Sequence, residues 1–240
     1  MSEQNKVVVK STAQKVSKML INNKDKIADA LPKGFNYGRM VKIVSNAVST
    51  TPKLMECTPM SLFLSCVQAA CMGIEPNGPL HYGYLVPFNS KKKIDGREKW
   101  VTEAKFMPSY RGLIALTRKT GSIANVYAEV IRENDEYEIK RGTENTINHP
   151  IKIGNRGNAI AYYAVMIDKD GNVDFEVMEP EEIEHVKEKS KSKEFGPWVD
   201  DYTEMAKKTV LKRLLKRSPM SIEDNALANA IQADNKVSRS

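Results

Sequence analysis

The hydrophobic pattern of this 240-residue chain first changes from helical spacing to strand-like alternation at the segment Pro76-Asn77-Gly78-Pro79. Before this segment apolar residues recur at helical spacing, and after it they alternate with polar residues as half-buried strands do. Helices gathered early in a sequence and strands gathered later are typical of an α+β fold. We therefore predict a helical N-terminal part followed by a small, mostly antiparallel sheet packed with helices.

Caps and turns set the boundaries of the predicted elements. Thr58 suits a helix N-cap, Pro59 the first helical position, and Gly73 the left-handed position after a helix ends. A weak helical period before this helix stops at residues 32–34, and a second helix covers 37–49. The further predictions are strands over 82–87, 100–107, 123–131, 136–140, 159–167 and 173–178, and helices over 110–119, 179–189 and 205–217.

Three connecting segments are predicted from their composition. Residues 89–97, with three consecutive lysines and a glycine, are predicted to form a mobile basic loop. Residues 168–172 read as a hairpin turn between two strands. Residues 190–197 are predicted to be a flexible loop before the basic helix, and a small helix and tail follow residue 218.

The charge and the cysteines limit the class of protein. A net charge of +7 favours an anionic partner such as nucleic acid. Cys57, Cys66 and Cys71 contain no Cys-x-x-Cys pair, which favours reduced thiols in a cytosolic protein. The N-terminus lacks the layout of a signal peptide and the longest apolar stretch is too short to cross a bilayer. We expect a soluble cytoplasmic protein that does not act at a membrane.

The basic helix over 205–217 carries six Lys or Arg residues and no acidic residue from Lys207 to Arg217. Lys208, Lys212 and Lys216 recur every fourth residue, about 6 Å apart along the axis. A seam of Ala206, Val210 and Leu214 is expected to hold the helix against a core. Within the run from Lys207 to Arg217 no acidic residue supplies the i±4 partner that an exposed charged helix commonly has, so the pattern favours binding to a polyanion over a merely solvated face.

A second basic cluster begins at Ser109-Tyr110-Arg111-Gly112 and continues with Arg118 and Lys119. Tyr110 is expected to support a base or sugar, Arg111 to pair with a phosphate, and Gly112 to allow a close backbone approach. Aromatic side chains among cations are how proteins hold single strands without reading sequence. The alternative is that Tyr110 is a core residue and the two later cations only complement the helix C-terminus.

Enzyme functions have weaker support. Asp95, Glu103 and Lys105 resemble the Asp…Glu-x-Lys pattern of magnesium-dependent nucleases, but Asp95 lies in the predicted mobile loop, where a metal site lacks rigid support. The chain has no Gly-x-x-x-x-Gly-Lys-Ser/Thr loop, so no use of ATP is predicted. We expect no cofactor and no metal. A nuclease and a passive single-strand binding protein remain the alternatives.

The order of several short motifs resembles the RecT family of phage-type single-strand annealing proteins. The resemblance runs from about Leu31 to Ile222. It is carried by Glu56-Cys57-Thr58-Pro59, Gly73-Ile74-Glu75-Pro76, Tyr84-Leu85-Val86-Pro87-Phe88, Tyr110-Arg111-Gly112-Leu113-Ile114, Arg118-Lys119-Thr120-Gly121, Gly196-Pro197-Trp198 and Glu204-Met205-Ala206-Lys207-Lys208-Thr209.

The resemblance implies an ATP-independent recombinase with a Red-beta/RecT-like annealing fold. Such a protein coats single-stranded DNA, pairs it with a complementary strand to form duplex, assembles into rings or helical filaments, and works beside an exonuclease. On this basis we divide the chain into an oligomerising helical segment (1–35), an annealing and DNA-binding core (36–217) and a short tail (218–240).

The motif match and the charge pattern select the same DNA-binding candidates. The main ones are Tyr110, Arg111, Lys207, Lys208 and Arg213. The weaker ones are Lys105, Arg118, Lys119, Lys212, Tyr82 and Trp198, of which Trp198 is expected to act as a lid or interface residue. We expect Arg111 and Lys208 to converge on one groove, and the N-terminal helices to supply oligomer contacts.

Overall fold

A computed structural model of the protein describes residues 3–190, 193–194, 197–218 and 225–238. The described chain divides into two compact units. Unit 1 comprises the residues up to Gly112 together with 226–238, and unit 2 comprises 113–225. In the described ranges no helix has the length and apolar character needed to cross a membrane.

Unit 1 contains six helices and one hairpin among its described residues. Its helices are α1 (Glu3–Asn22), α2 (Lys24–Ile27), α3 (Tyr37–Thr50), α4 (Pro52–Met55), α5 (Pro59–Cys71) and most of α10 (Asn225–Ser238), with a short 3-10 turn at Ala28–Ala30. Strands β1 (Gly83–Ile94) and β2 (Arg97–Pro108) pair antiparallel. The core joins α1, α3 and α5 to the inner half of this hairpin, through residues such as Val16, Val44, Leu62 and Leu85.

The predicted boundaries of α5 are confirmed. The Thr58 side chain accepts a hydrogen bond from the Ser61 backbone N–H at 3.3 Å, which satisfies one of the free donors at the helix start. Pro59 is the first helical residue, and Gly73 has a φ of +73°, the left-handed conformation that glycine adopts without strain.

Residues 89–97 are not a loop, so that prediction is wrong. The strands continue in register from Gly83 opposite Pro108 to Ile94 opposite Arg97. Asp95 and Gly96 close the hairpin with φ values of +52° and +76°, as expected for a two-residue turn that follows the strand twist. The sequence did not predict this part of the strand, because lysines on both faces of an exposed hairpin give no apolar alternation.

Unit 2 is built on a three-stranded antiparallel sheet in the order β3–β6–β7. The strands are β3 (Ile123–Arg132), β6 (Ala159–Asp168) and β7 (Val173–Met178). The small ribbon of β4 (Glu138–Lys140) and β5 (Thr146–Asn148) places Ile139 and Ile147 against one face of the sheet, where Tyr163 and Phe175 are buried. The sequence predicted β4 but missed β5, which has three residues.

Helix α9 (Tyr202–Arg217) packs on all three strands of the sheet. Successive residues of a strand face opposite sides, so Asp174 and Glu176 of β7 lie on the face opposite Phe175. The remaining helices of unit 2 are α6 (Tyr110–Lys119), which begins in unit 1, α7 (Pro180–Glu188) and α8 (Pro197–Asp200). The predicted turn at 168–172 is confirmed, because the Asp168 carboxylate accepts hydrogen bonds from the Asp170 and Asn172 backbone N–H groups.

Two predictions about apolar residues have clear outcomes. Cys57, Cys66 and Cys71 are free thiols, as expected, and burial raises the pKa of Cys57 and of Cys66 to about 12. The weak helical period of the N-terminal segment buries Ala13, Val16 and Leu20, which are at most 4% exposed in the unit 1 core. An oligomer contact in this segment must therefore use other residues.

Candidate nucleic-acid interface

The outer half of the β1–β2 hairpin, residues 89–102, is an exposed arm rich in cations. Its lysines 91–93 and 99 and its Arg97 are all exposed. Trp100 is 68% exposed, and the Lys91 ammonium lies 5.3 Å from the centre of its ring. An exposed indole beside a cation provides a face for stacking and a charge for a phosphate.

The arm contains more cations than carboxylates, so its own carboxylates cannot form ion pairs with all of them. Lys92 and Lys99 are directly opposite one another in the register, an arrangement of like charges that destabilises a strand pair. Glu103 compensates the charge of Lys92, because one of its carboxylate oxygens lies 2.6 Å from the Lys92 ammonium. This contact lowers the pKa of Glu103. Within the described ranges, Lys93, Arg97 and Lys99 have no carboxylate partner.

The start of α6 is fixed rigidly in unit 1. The Ser109 hydroxyl donates to the His81 carbonyl at 2.6 Å and accepts from the Gly112 N–H at 3.0 Å. A Cβ on Gly112 would lie 1.9 Å from the Tyr82 carbonyl oxygen, so only glycine fits. The close approach at Gly112 is thus made by the protein's own backbone, where we had predicted an approach to DNA.

Arg111 is the second residue of this fixed helix and is exposed. It has no ion-pair partner in the part of the chain that the structure describes. Tyr110 and Tyr82 are half-buried, and Lys105 lies with its ammonium 5.4 Å from the ring centre of Phe88. The Arg111 guanidinium is therefore the member of this group most open to an anion.

The last turn of α6 lies in unit 2 and carries the two other predicted cations of this cluster. Arg118 and Lys119 are both exposed, and Arg118 donates to the Asn125 side chain at 3.0 Å. Their position near a helix C-terminus also complements the helix dipole, as the alternative interpretation expected.

Helix α9 confirms its predicted apolar seam. Ala206, Val210 and Leu214 are fully buried, and Leu211 and Leu215 widen the seam. The strip of lysines is different from the one expected, because Lys208 is only 6% exposed whereas Lys212 is half-buried and Lys216 exposed. A strip that runs from the core to the surface cannot present three equivalent cations to one polyanion.

The arginines of α9 have acidic partners on neighbouring elements. Arg213 lies 3.2 Å from Glu176 and also binds Glu182. The contact with Glu182 raises the pKa of Arg213 and lowers the pKa of Glu182. Arg217 lies 2.6 Å from Asp174 and 2.8 Å from Glu176. Glu176 is a buried carboxylate, with its side chain 7% exposed, so these arginines compensate a charge inside unit 2.

Lys207 and Trp198 have structural contacts as well. The Lys207 ammonium is 3.2 Å from Glu204, one turn earlier on α9, and 3.5 Å from Glu129 of β3. Trp198 is 5% exposed and packs on Tyr202, with the ring centres 5.9 Å apart. The burial of Trp198 places it in the core of unit 2.

Comparison with known proteins decides the family. Residues 38–240 match the profile of the RecT family. The chain is 36% identical over 213 residues to Protein RecT of Escherichia coli strain K12, covering 89% of this chain and 77% of that protein. The chain belongs to the RecT family. It is also 27% identical over 166 residues to the uncharacterized protein YqaK of Bacillus subtilis strain 168, covering 68% of this chain and 53% of that protein.

Three of the RecT-family motifs found in the sequence have a clear structural reason. Thr58-Pro59 begins α5, Gly73 ends it, and Gly112 permits the contact with the Tyr82 carbonyl. Gly196 lies outside the described residues. Arg111 belongs to unit 1 and Lys208 to unit 2, and the convergence of their clusters on one groove stays a prediction.

The residues of the nuclease alternative are not brought together. Asp95 is at the tip of the arm, and Glu103 lies six residues along β2 from Arg97, a distance of about 20 Å in a strand. Glu103 is bound to Ser90 and Lys92. Among the described residues no group of three His, Cys, Asp or Glu side chains is placed to hold a metal ion.

The sequence did not predict two features of the candidate interface. The first is Trp100, whose exposure follows from the unexpected continuation of the strands. The second is the set of acids on β7 and α7 that pair with α9. The alternation of Asp174 and Glu176 with Phe175 was a usable signal, because it places two carboxylates on the face of the sheet that α9 covers.

Proposed function

We propose that this protein binds single-stranded DNA along its backbone, oligomerises on it and promotes the pairing of complementary strands in homologous recombination without ATP. As a member of the RecT family, the chain is a phage-type single-strand annealing recombinase. Family membership is the observation that carries the proposal. The exposure of the cations supports the choice of the residues proposed to contact the phosphate backbone.

The chemistry required is electrostatic. Two single strands repel one another, and bringing them together also costs the entropy of alignment. Cations that neutralise phosphates reduce the repulsion, and a row of protomers that holds the strand extended reduces the cost of alignment. The protein need not read the bases, because base pairing selects the partner strand.

Arg111 and the arm are the proposed primary contacts. Arg111, Lys93, Arg97 and Lys99 are exposed and have no carboxylate partner among the described residues, so a phosphate displaces no internal ion pair there. Trp100 and Tyr110 are the proposed supports for bases or sugars. Lys105, Arg118, Lys119, Lys212 and Tyr82 are proposed as weaker contacts.

Lys207, Lys208 and Arg213 remain proposed contacts of a different kind. Lys207 and Arg213 already have carboxylate partners, and Lys208 is buried. A phosphate can bind these cations only by sharing or replacing an existing interaction, so each is expected to contribute less than Arg111.

Oligomerisation follows from the size of the site. A single protomer contacts only a few nucleotides, so useful pairing requires many protomers in register, and head-to-tail contacts give rings or filaments. We further propose that the protein acts in the cytoplasm together with an exonuclease that generates the single strand. The annealed duplex is the proposed product and a second ligand.

An annealing assay tests this function directly. Two complementary labelled oligonucleotides are mixed with and without the protein, in the absence of ATP, and duplex formation is followed by fluorescence quenching. Faster duplex formation supports the proposal. Slower pairing identifies a passive single-strand coat, and shortening of the strands with magnesium identifies a nuclease, so either result contradicts it.

The salt dependence of binding tests the mechanism. If each protomer neutralises about four phosphates, the logarithm of the affinity for single strands falls with log salt at a slope of about −3. Fluorescence anisotropy with a poly-thymidine oligonucleotide over a series of salt concentrations gives this slope. A slope near zero rules out the phosphate contacts.

A further inference from the structure

Helix α5 is apolar on its outer side as well as on its inner side. None of its thirteen residues is charged. Leu62 and Cys66 are fully buried in unit 1, yet Met60 and Leu64, one turn apart on the other side, are 55% and 57% exposed. Two large apolar side chains exposed one turn apart on an uncharged helix are suited to contact with another surface.

Unit 2 carries an exposed apolar pair on the loop of residues 149–158. Ile151 is 76% exposed and Ile153 is 96% exposed. The residue between them, Lys152, donates to the Asn134 backbone carbonyl at 3.2 Å. The two isoleucines thus extend from the protein, and the exposed Lys152 between them keeps ammonium donors for a further partner.

This loop is held firmly at both ends by one buried carboxylate. Asp135 has a side chain with no exposed surface, and Arg156 binds it through two nitrogens at 2.6 and 2.7 Å. His149 lies between Asp135, at 3.2 Å, and the Tyr163 hydroxyl, at 3.0 Å. A loop anchored in this way loses little conformational entropy on binding, which favours association.

We infer that Ile151 and Ile153 of one protomer dock on the outer side of α5, at Met60 and Leu64, of a second copy of this chain. The spacings agree, because residues two apart in an extended segment lie about 7 Å apart and residues one helical turn apart about 6 Å apart. The proposal rests on the oligomerisation put forward above, and it assigns the residues that make the contact.

The charges around the two apolar pairs are complementary. Glu56 is exposed, lies four residues before Met60 and has no ion-pair partner in the described ranges. Lys152, between the two isoleucines, likewise has no carboxylate partner within those ranges. A second copy supplies both members of this pair, which favours it over an unrelated partner protein.

The contact joins two different surfaces and therefore has a direction. Each protomer has one loop to offer and one α5 to receive the next loop. Such a heterologous contact repeats from protomer to protomer and produces a closed ring or an open filament.

Two double variants test the contact. One is Ile151→Ser with Ile153→Ser, and the other is Met60→Ser with Leu64→Ser. Their masses are measured by light scattering, alone and mixed in equal amounts, with and without single-stranded DNA. We expect each variant alone to be monomeric and the mixture to form dimers but nothing larger, because only one pair of intact surfaces can meet.

The control is Leu80→Ser, which removes another exposed large apolar side chain, 57% exposed, and is expected to leave the assembly unchanged. Circular dichroism checks that both double variants fold. Masses equal to those of the wild type overturn the inference. Monomeric variants whose mixture also stays monomeric overturn the pairing of these two surfaces.

The test is separable from the test of DNA binding. Binding of a short oligonucleotide by the monomeric double variants depends on the arm and Arg111, so it is expected to persist. A charge exchange gives a second measurement: Glu56→Lys and Lys152→Glu are each expected to weaken assembly, and combining them in one chain is expected to restore it. Failure of the combined variant to assemble counts against the proposed docking.

Discussion

The arm of unit 1 and helix α9 of unit 2 are both rich in cations, but the cations meet different surroundings. Arg213 and Arg217 contact Glu176, whose side chain is 7% exposed, and Lys207 contacts two glutamates. Lys93, Arg97 and Lys99 of the arm are exposed and lack carboxylate partners among the described residues. The first group compensates carboxylates within unit 2, and the second is exposed to anions from outside.

A count of charges does not distinguish cations that pair with a buried carboxylate from cations that are exposed to solvent. A cation that pairs with a buried carboxylate avoids the large cost of leaving that carboxylate alone in the interior. A cation on an exposed arm is solvated and gains from phosphate contact mainly by releasing counterions. Substitutions in the two regions should therefore affect different measurements.

The largest effect is expected from removing the two α9 arginines together. Arg213→Ala combined with Arg217→Ala leaves Glu176 with Arg141, 3.7 Å away, as its remaining cation in the described ranges. We expect a loss of about 3 kcal/mol in the free energy of unfolding, seen as a fall of roughly 6–12 °C in the melting temperature. Differential scanning calorimetry measures it.

Lys119→Ala is the matched control, because Lys119 is an exposed cation in the same unit. Its melting temperature is expected to stay within about 1 °C of the wild type. If the double arginine variant also melts like the wild type, these arginines do not stabilise the fold and the contrast with the arm fails.

The arm is expected to give the second largest effect, and on affinity instead of stability. Replacing Lys93, Arg97 and Lys99 by alanine removes up to three phosphate contacts. We expect single-strand affinity to fall by about 2 kcal/mol, roughly 30-fold, and the salt slope to become shallower by about 2. Anisotropy titrations measure both, and unchanged titrations with a normal melting temperature exclude the arm from DNA binding.

The sequence predicted most of the fold correctly where a pattern was local. The caps of α5, the bounds of α6 and β7, and the turn after Asp168 depend on a few neighbouring residues. The arm was mistaken for a loop because its stability comes from pairing with a distant strand. The role of α1 was underestimated for a similar reason, since its short apolar face is completed by α3 and α5.

The candidate site was harder to predict, because the partner of a charge is set by the fold. Searching for acids at i±4 tested only the α9 sequence itself, whereas Glu176 and Glu182 lie 37 and 31 residues before Arg213. The same limit applies to Gly112, which was expected to face DNA and instead faces the Tyr82 carbonyl. Arg111, by contrast, is exposed as predicted.

Trp100 tests whether the arm contacts bases as well as phosphates. Trp100→Ala is expected to weaken single-strand binding by about 1–2 kcal/mol, and Trp100→Phe to recover part of the loss because phenylalanine retains a stacking face. Quenching of tryptophan fluorescence on titration with poly-thymidine offers a direct readout. Equal affinities for the wild type and Trp100→Ala mean that the indole is not used.

Arg111 and Arg213 provide the closest comparison between the two regions, since both are arginines that the sequence selects as main DNA-binding candidates. Arg111→Ala is expected to lower single-strand affinity by about 1 kcal/mol, to affect all sequences alike, and to leave the melting temperature unchanged. Arg213→Ala is expected to show the reverse, with a lower melting temperature and nearly normal affinity. If both lower affinity equally, α9 contributes to binding as strongly as α6.

The smallest effect concerns the pH dependence of the Arg213–Glu182 contact. Arg213 holds the pKa of Glu182 below its ordinary value of 4.5, so the pair stabilises the fold at neutral pH and this contribution is lost as the pH falls through the lowered pKa. Because both side chains are nearly half exposed, we expect Glu182→Gln to cost under about 1 kcal/mol at pH 7. Calorimetry of both proteins should show their melting temperatures converging below pH 4.5. A difference that persists in acid assigns the effect of the substitution to packing and not to charge.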